Sequence, residues 1–526
     1  MSAEKIDPEQ ITTIGGMLSH FASTRPNTEA AVQGDIRLSY IQLKTEVDKV
    51  SKALIAAGIK KGDRVGIMAP SGLDFYFTYL ATVSIGGIWF GLNPRYQEPE
   101  YKYLLHDTRP KILFTVSPFE GRDYSTILQS AGVSNTKYFV YGTPTKSAKT
   151  YESFIEKATR ISDAELLARQ NQVQTEDIAA IVYTSGSTGE PKGAMLSHRA
   201  IVRSAIANAK WMEGAPHKAL CCLPINHVAS LNNLCMNVMA GGGCMVFHDS
   251  FDLSAIMTIT TSEQLTYMLT SPTLLMMLLT HGEFSIEALK SLRLIIFGGA
   301  VTPEDLIRQY QPIGAKLGTI YGLSETCGII SHSALGANLD VMANTIGQPI
   351  EGAEWRICGS DGEIMGVGEV GELQIKGPHI LSGYFNKPEA SAQAITDDGF
   401  FKTGDLCTLR SDGNVEFSGR LKEMFKSGAY NVYPLEVERA IENHTQVAMA
   451  VVIGIPDDLY QEVGFAFIKP KPGQDISVPE LKAFLRTQIA NYKIPKQFRI
   501  VDDFPTLPNT KVDKMALKKM LEENNE

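Results

Sequence analysis

The stretch Tyr183-Thr184-Ser185-Gly186-Ser187-Thr188-Gly189-Glu190-Pro191-Lys192-Gly193 constrains this chain more than any other. Five consecutive Ser, Thr and Gly residues, Ser185 to Gly189, cannot pack a core. They leave the backbone free to curl and expose its N–H groups, and such a nest with nearby hydroxyls and a lysine traps anions. The preceding run, residues 178–183, is apolar and reads as a buried strand. Strand, glycine-rich loop and lysine together predict a phosphate cradle. Lys192 is followed by Gly193 and not by Ser or Thr, so this is not the common P-loop pattern. A Gly/Ser-rich surface turn is the plainer alternative. Ser197 reads as the cap of a helix that begins at His198, and a phosphate loop feeding that helix would add its dipole to the site.

The loop lies in a chain of 526 residues, long enough for more than one folding unit. Apolar residues recur at helical spacing over 40–58, and Gly58 ends that pattern. Residues 62–68 and 111–116 read as strands, and a helix is expected from about Leu73 to Val83. This alternation predicts α/β layering with largely parallel sheets. Further buried strands are expected over 219–223, 292–297 and from Thr319, the last breaking at Gly322. Between the first two of these the chain turns sharply at residues 225–230. Ligands in such sheets gather beyond the carboxyl ends of the strands, where the 184–192, 225–230, 298–300 and 321–326 segments all fall. From residue 345 frequent glycines punctuate short segments, which predicts a β-rich subdomain. A boundary is expected at 420/421, with a small α+β domain over 421–526. Its strands are expected at 447–453 and 464–468 and its main helix at 478–489.

Composition narrows the function. The formal net charge of −9 argues against a general binder of nucleic acid or anionic membrane. The polar, acid-bearing start is unlike a secretory signal, and the end carries no peroxisomal or lipidation signal. The apolar stretch 77–92 contains Gly86 and Gly87 and is short for a bilayer span, so it reads as a core helix running into a strand. Seven cysteines without metal spacing fit a reducing, cytoplasmic setting and predict neither disulfides nor structural zinc.

The motifs together carry a resemblance. YTSGSTGEPKG at 183–193, YGLSE at 321–325, FKTGDL at 401–406, GRLKE at 419–423 and LPNTKVDK at 507–514 stand in one order. In that order and rough spacing the chain resembles the adenylate-forming superfamily: acyl-CoA synthetases, firefly luciferases and the adenylation domains of nonribosomal peptide synthetases. The likeness spans nearly the whole chain. It implies an N-terminal adenylation domain over 1–420, built from layered α/β subdomains plus the β-rich one, and a mobile C-terminal domain over 421–526. It also implies a two-step reaction in which a carboxylate attacks the α-phosphorus of ATP, pyrophosphate leaves, and a thiol then displaces AMP.

Roles follow from the same resemblance, and each is weighed on its chemistry. Thr184, Ser185, Gly186, Ser187, Thr188, Gly189 and Lys192 would hold the β- and γ-phosphates. Glu325 would bind Mg²⁺, with Thr184 as a second oxygen ligand; a helix-start carboxylate is the plainer reading. Tyr321 with Gly299 and Ala300 would enclose the adenine, with Gly322 and Ser324 beside the nucleotide. Asp405 would accept from the ribose hydroxyls and Arg420 would add a charge-assisted contact. Lys514 would bridge the substrate carboxylate and the α-phosphate, cancelling their repulsion; Lys511, Lys518 and Lys519 compete with it, and a solvated basic helix is the alternative. Asp513 stands before it where the family usually has Gly. His227 would gate the acyl pocket or orient the thioester step, unless it is a core histidine. Lys422 would be the hinge. Ser427, Gly428, Ala429 and Tyr430 would line a coenzyme A tunnel, although Ala429 and Gln461 replace common glycines.

The acyl pocket is expected from His227, Val228, Ala229, Gly298, Leu323 and Ile330 and their neighbours. Apart from Glu325 these segments carry no fixed charge, and Asn232 and Asn233 are their main polar residues. A buried ammonium without a carboxylate costs several kcal/mol, so an amino-acid substrate is disfavoured. An apolar acid remains, medium-chain fatty or aryl/arylalkanoic. The expected requirements are ATP, Mg²⁺ and coenzyme A, with no nucleic acid or transmembrane segment, and a homodimer is compatible with them. A carrier-protein loader and an adenylate-binding pseudoenzyme stay open as alternatives.

Overall fold

The computed structural model describes residues 10–142, 148–184, 191–282, 284–427, 430–457, 459–506 and 512–522. The chain divides into two compact units, Met1–Glu354 with Lys376–Phe401, and Trp355–Ile375 with Lys402–Glu526.

In the first unit the alternation of apolar strands and amphipathic helices builds two large sheets. One runs in the order Lys149–Thr150, Lys137–Gly142, Ile112–Ser117, Arg64–Met68, Ile88–Leu92, Ile178–Thr184, Lys192–Ser197, parallel throughout except at its last pair. The other has nine strands, with Leu294–Gly298 parallel to Lys316–Leu323, and Gly328–His332 antiparallel to the latter. A single core joins them: Val65, Ile67 and Phe114 from the first sheet and Ala219, Met245 and Ile296 from the second pack with Phe75, Tyr79 and Ile201 of the covering helices. Strands buried on both faces explain the continuous apolar runs in the sequence. The 77–92 stretch is the end of the Leu73–Ser84 helix followed by the Ile88–Leu92 strand, as expected. Among the described residues no helix is long and apolar enough to cross a membrane.

The second unit contains a four-stranded sheet, Glu354–Cys358, Val370–Lys376, Phe401–Leu409 and Val415–Arg420 in order. It also contains an α+β part in which Val447–Asp457 pairs with Gln461–Pro470 and the Pro434–Glu442 and Val478–Gln488 helices cover one face. The β-rich region after residue 345 is therefore present, and its four-stranded sheet groups with the C-terminal part of the chain.

One local expectation changes. The loop after Thr184 does not feed a helix: it returns as the antiparallel strand Lys192–Ser197, with Thr184 opposite Lys192 and Ser197 opposite Ile178. The His198–Trp211 helix, capped by Ser197 accepting from the Ala200 amide, starts at the far end of that strand. Five residue steps of about 3.4 Å separate it from the loop, so its dipole does not serve the phosphates. The chain turns at residues 225–227, within the stretch where a sharp turn is expected, and a π-helical turn follows over 229–236. Two consecutive side chains of that turn reach one neighbouring segment: the Asn232 amide donates to the Cys327 carbonyl, and Asn233 Oδ1 accepts from the Ile329 amide at 3.1 Å.

Candidate active site

The stem of the glycine-rich loop is fixed at both ends by one helix. Glu98–Thr108 presents Tyr103 and Asp107, one turn apart. The Tyr103 hydroxyl donates to the Pro191 carbonyl at 2.9 Å, just after the loop. The Tyr183 hydroxyl, just before the loop, donates to Asp107 Oδ2 at 2.5 Å. Asn386 Nδ2 donates to the other Asp107 oxygen at 2.9 Å. Burial and the Asp107 carboxylate both push the Tyr183 hydroxyl up, so it stays a neutral donor. Thr184 ends its strand with its hydroxyl 3.4 Å from the Lys192 carbonyl. Ser185, Gly186, Ser187, Thr188 and Gly189 lie outside the described residues.

The returning strand carries Lys192 to a second cluster. Residues 382–385 lie along it, with Ser382 donating to the Met195 carbonyl, Met195 to Gly383 and Phe385 to Gly193. Tyr384 is thereby set between two charges. The Lys192 ammonium lies 5.4 Å from its ring centroid, and its hydroxyl donates to Glu325 Oε1 at 3.0 Å. Burial and Glu325 push the Tyr384 hydroxyl up, so it remains protonated. Glu325 belongs to a single turn, Ser324–Thr326, closed by the Leu323 amide donating to Thr326 Oγ1 and by Cys327 in the left-handed region (φ 56°). The Glu325 carbonyl accepts from the Leu381 amide at 2.8 Å. Loop stem, Lys192, Tyr384 and Glu325 thus form one patch.

That patch suits a hard cation beside phosphate. Glu325 keeps its second carboxylate oxygen beyond the Tyr384 bond, and the Thr184 hydroxyl oxygen retains acceptor capacity. Among the described residues no three His, Cys, Asp or Glu converge as a metal cluster. Magnesium is ordinarily held by one or two carboxylates plus substrate phosphates, and this donor set fits that mode.

Beside it, the ends of two parallel strands are in register, Gly298 opposite Ile320. Gly298 is a packing glycine, because a Cβ there would lie 2.5 Å from the Ile320 carbonyl oxygen. Gly322 is another, with the Gly328 carbonyl oxygen 1.9 Å from where its Cβ would be, so its smallness serves strand packing. Gly299 (φ +83°) has nothing within 4 Å of a Cβ position, and with Ala300 it leaves exposed backbone at the strand end, near half-buried Tyr321. Ser324 is half-buried one residue before Glu325. His227 is exposed rather than a core histidine, and its Nδ1 accepts from the Ala229 amide at 3.1 Å. Val228 and Ile330 are buried, while Ala229 and Leu323 are half-buried.

The second unit holds the remaining candidates. Asp405 and Arg420 are register partners on adjacent strands, with Arg420 Nε 3.1 Å from Asp405 Oδ1 and the Asp405 side chain only 1% exposed. Lys422 is exposed in the turn that follows. Ser427 is buried and pairs with Tyr430, whose ring stacks on Tyr492 at 4.4 Å; Gly428 and Ala429 lie outside the described residues. Gln461 has φ +68°, which explains why glycine is usual there. Asp513 accepts from the Met515 and Ala516 amides at 3.0 Å and so caps the Lys514–Glu522 helix. The Lys514 ammonium donates to Glu423 Oε2 at 2.7 Å and lies 3.4 Å from Glu438 Oε1.

Tyr103, Asp107, Tyr384, Asn386, Glu423 and Glu438 are site residues that the sequence alone does not single out. Only Glu423 fell within a motif, GRLKE, and nothing there signalled that it would pair with Lys514.

Comparison with known proteins places the chain in a family. The model of the AMP-binding enzyme family matches residues 18–385, and that of the AMP-binding enzyme C-terminal domain matches 436–514. The chain is 30% identical over 505 residues to a feruloyl-CoA synthase from an Amycolatopsis species, covering 95% of this chain and 97% of the relative. It is also 30% identical to an indoleacetate–CoA ligase from Aromatoleum aromaticum, covering 96% and 97%. The ATP-bound structure of MatB from Rhodopseudomonas palustris superposes with a TM-score of 0.83 at 26% identity, covering 98% of this chain and all of that one. The chain belongs to the AMP-binding enzyme family, the adenylate-forming enzymes. Within that family it is an acyl-CoA synthetase, an acid–thiol ligase that uses ATP and coenzyme A.

Proposed function

We propose that the acid is apolar, a medium-chain fatty or aryl/arylalkanoic carboxylate, and that the reaction is carried by Lys514, Glu325 and the 184–192 loop. One observation carries the apolar reading. Asn232 and Asn233, the main polar residues of the expected acyl segments, are buried and bonded to the backbone of residues 327–329. No side chain of those segments other than Glu325 carries a fixed charge that could meet a substrate ammonium or second carboxylate. Relatives named for ferulate, indoleacetate and fatty acids are consistent with this class.

In the first half-reaction a substrate carboxylate oxygen bonds to the α-phosphorus while the bond to the β-phosphate oxygen breaks. The loop amides and Lys192 take up charge on the departing pyrophosphate. Lys514 offsets the repulsion between carboxylate and α-phosphate. A Mg²⁺ ion held by Glu325, with Thr184 beside it, would neutralise phosphate charge. Asp405 and Arg420 would hold the ribose, and Tyr321, Gly299, Ala300 and Gly322 the adenine, with Ser324 near the phosphates. In the second half-reaction the coenzyme A sulfur bonds to the acyl carbon and AMP leaves. Ser427, Gly428, Ala429 and Tyr430 would line the thiol's path, His227 its meeting with the acyl group, and Lys422 the turning point between the half-reactions, with domains at 1–420 and 421–526. A cytoplasmic location belongs to the same proposal, since the seven cysteines are free thiols.

The test is a pyrophosphate-release screen over aliphatic, aryl and amino acids, with and without coenzyme A. Turnover confined to apolar acids supports the reading. Preference for an amino or dicarboxylic acid overturns it.

A further inference from the structure

An ammonium that must meet two anions in a reaction should be free to do so, yet Lys514 is bound by two carboxylates of its own unit. Its backbone is pinned: Asp513 caps the helix it begins, and the Asp513 amide donates to the Pro505 carbonyl at 2.8 Å. Its Nζ donates to Glu423 Oε2 at 2.7 Å and lies 3.4 Å from Glu438 Oε1. Neither acid is a loose surface group. Glu438 is 8% exposed on the Pro434–Glu442 helix, and the same Oε1 accepts from the Val452 amide at 2.8 Å. Glu423 is held in the turn after Arg420 by its amide donating to the Arg420 carbonyl at 3.0 Å. Burial would lower the Lys514 ammonium, but Glu438 and Glu423 outweigh it and raise it above its ordinary value. Burial raises Glu438, with Lys514 opposing.

A lysine flanked by two carboxylates presents a net negative group, which repels a phosphate and a carboxylate. The pairing has to open before Lys514 can assist adenylation. All three residues lie on the C-terminal side of Lys422, so a turn at Lys422 alone does not separate them.

We propose that Glu423 and Glu438 are positioning residues that hold Lys514 in a parked state, competing with adenylation and leaving the thioester step untouched. This rests on the reading of Lys514 as the adenylation lysine. Glu423 is the adjustable partner, because it is one-third exposed. Glu438 is the fixed one, and its departure from the lysine would leave a buried carboxylate with only the Val452 amide.

The experiment uses full-length protein with Glu423→Gln and, separately, Glu438→Gln, which keeps an acceptor for Val452. Lys514 acylation by acetic anhydride, followed by peptide mass spectrometry, needs no substrate and reads the pairing alone. Single-turnover acyl-adenylate formation reads its consequence. Partly exposed pairs contribute up to ~1 kcal/mol, so labelling and adenylation should each rise about two- to fivefold, with thioester formation from supplied acyl-adenylate unchanged. Labelling unchanged in both variants, with melting temperature intact, overturns the parked state. Faster labelling with slower adenylation overturns the competition and assigns the carboxylates to aiming the lysine. If no acid is ever adenylated, the functional reading fails while the labelling result still decides the pairing.

Discussion

Replacing Tyr183 with Phe removes one oxygen and leaves the ring packed against the buried cluster of Met68, Leu105 and Ile181. The lost contact is the 2.5 Å donation to Asp107 Oδ2, across 76 residues of sequence. Hydrogen bonds to charged groups contribute about 1.5–3 kcal/mol, and both partners are half-buried, so returning water offsets part of that. A net loss near 1.4 kcal/mol is expected, which corresponds to about tenfold in a rate or affinity. It should fall where the loop is used. kcat/KM for ATP in acid-dependent pyrophosphate release should drop about tenfold. Coenzyme A thioester formation from supplied acyl-adenylate, which has no β- or γ-phosphate, should keep its rate. Asp107→Asn, which still accepts from Tyr183, should fall between wild type and Y183F. Equal loss in both half-reactions, or no loss in either with an unchanged melting temperature, would mean that this helix does not tether the loop stem.

Glu325→Gln keeps an acceptor for the Tyr384 hydroxyl but removes the charge. The Mg²⁺ concentration for half-maximal turnover should rise at least about tenfold, and an unchanged metal titration would count against Glu325 as a ligand. His198 is fully buried with Nδ1 accepting from the Ile14 amide at 3.2 Å, and burial pushes its imidazole down to about 4. Its folded value lies below its unfolded one, so its contribution is present above pH 6.5 and is lost as pH falls through 4, by up to ~3 kcal/mol. Melting temperature should fall over that window and fall less steeply in His198→Gln; identical slopes would reject this source. Gln461→Gly relieves a left-handed backbone and should stabilise the C-terminal part by about 1 kcal/mol in chemical denaturation, whereas destabilisation would mean the Gln461 side chain does something else.

What could be read in advance was local. The apolar run at 178–183, the cap at Ser197, the stop at Gly58 and the helix at Val478–Gln488 each rest on neighbours in sequence, and each is present. The motifs gave the family for the same reason. The hairpin after Thr184 is not legible in sequence because its return strand, Lys192–Ser197, is only six residues long and buried without a period of two. The π-helical turn carries Asn232 and Asn233, whose partners lie almost a hundred positions away. Tyr103 reaches Pro191 over 88 residues and Tyr384 reaches Glu325 over 59, distances at which spacing carries no signal. Asp513 looked like a damaged motif and is a helix cap, a role visible only once the Lys514–Glu522 helix is in place.

Adenylate formation is the step on which every assigned role depends. It is tested most directly by the nucleotide product when the purified protein is given ATP, Mg²⁺, an apolar carboxylic acid and coenzyme A. AMP and pyrophosphate should form in equal amounts with the acyl thioester, and adenylate with pyrophosphate alone when the thiol is withheld. ADP and phosphate as products, or ATP untouched across a broad panel of acids, would contradict it.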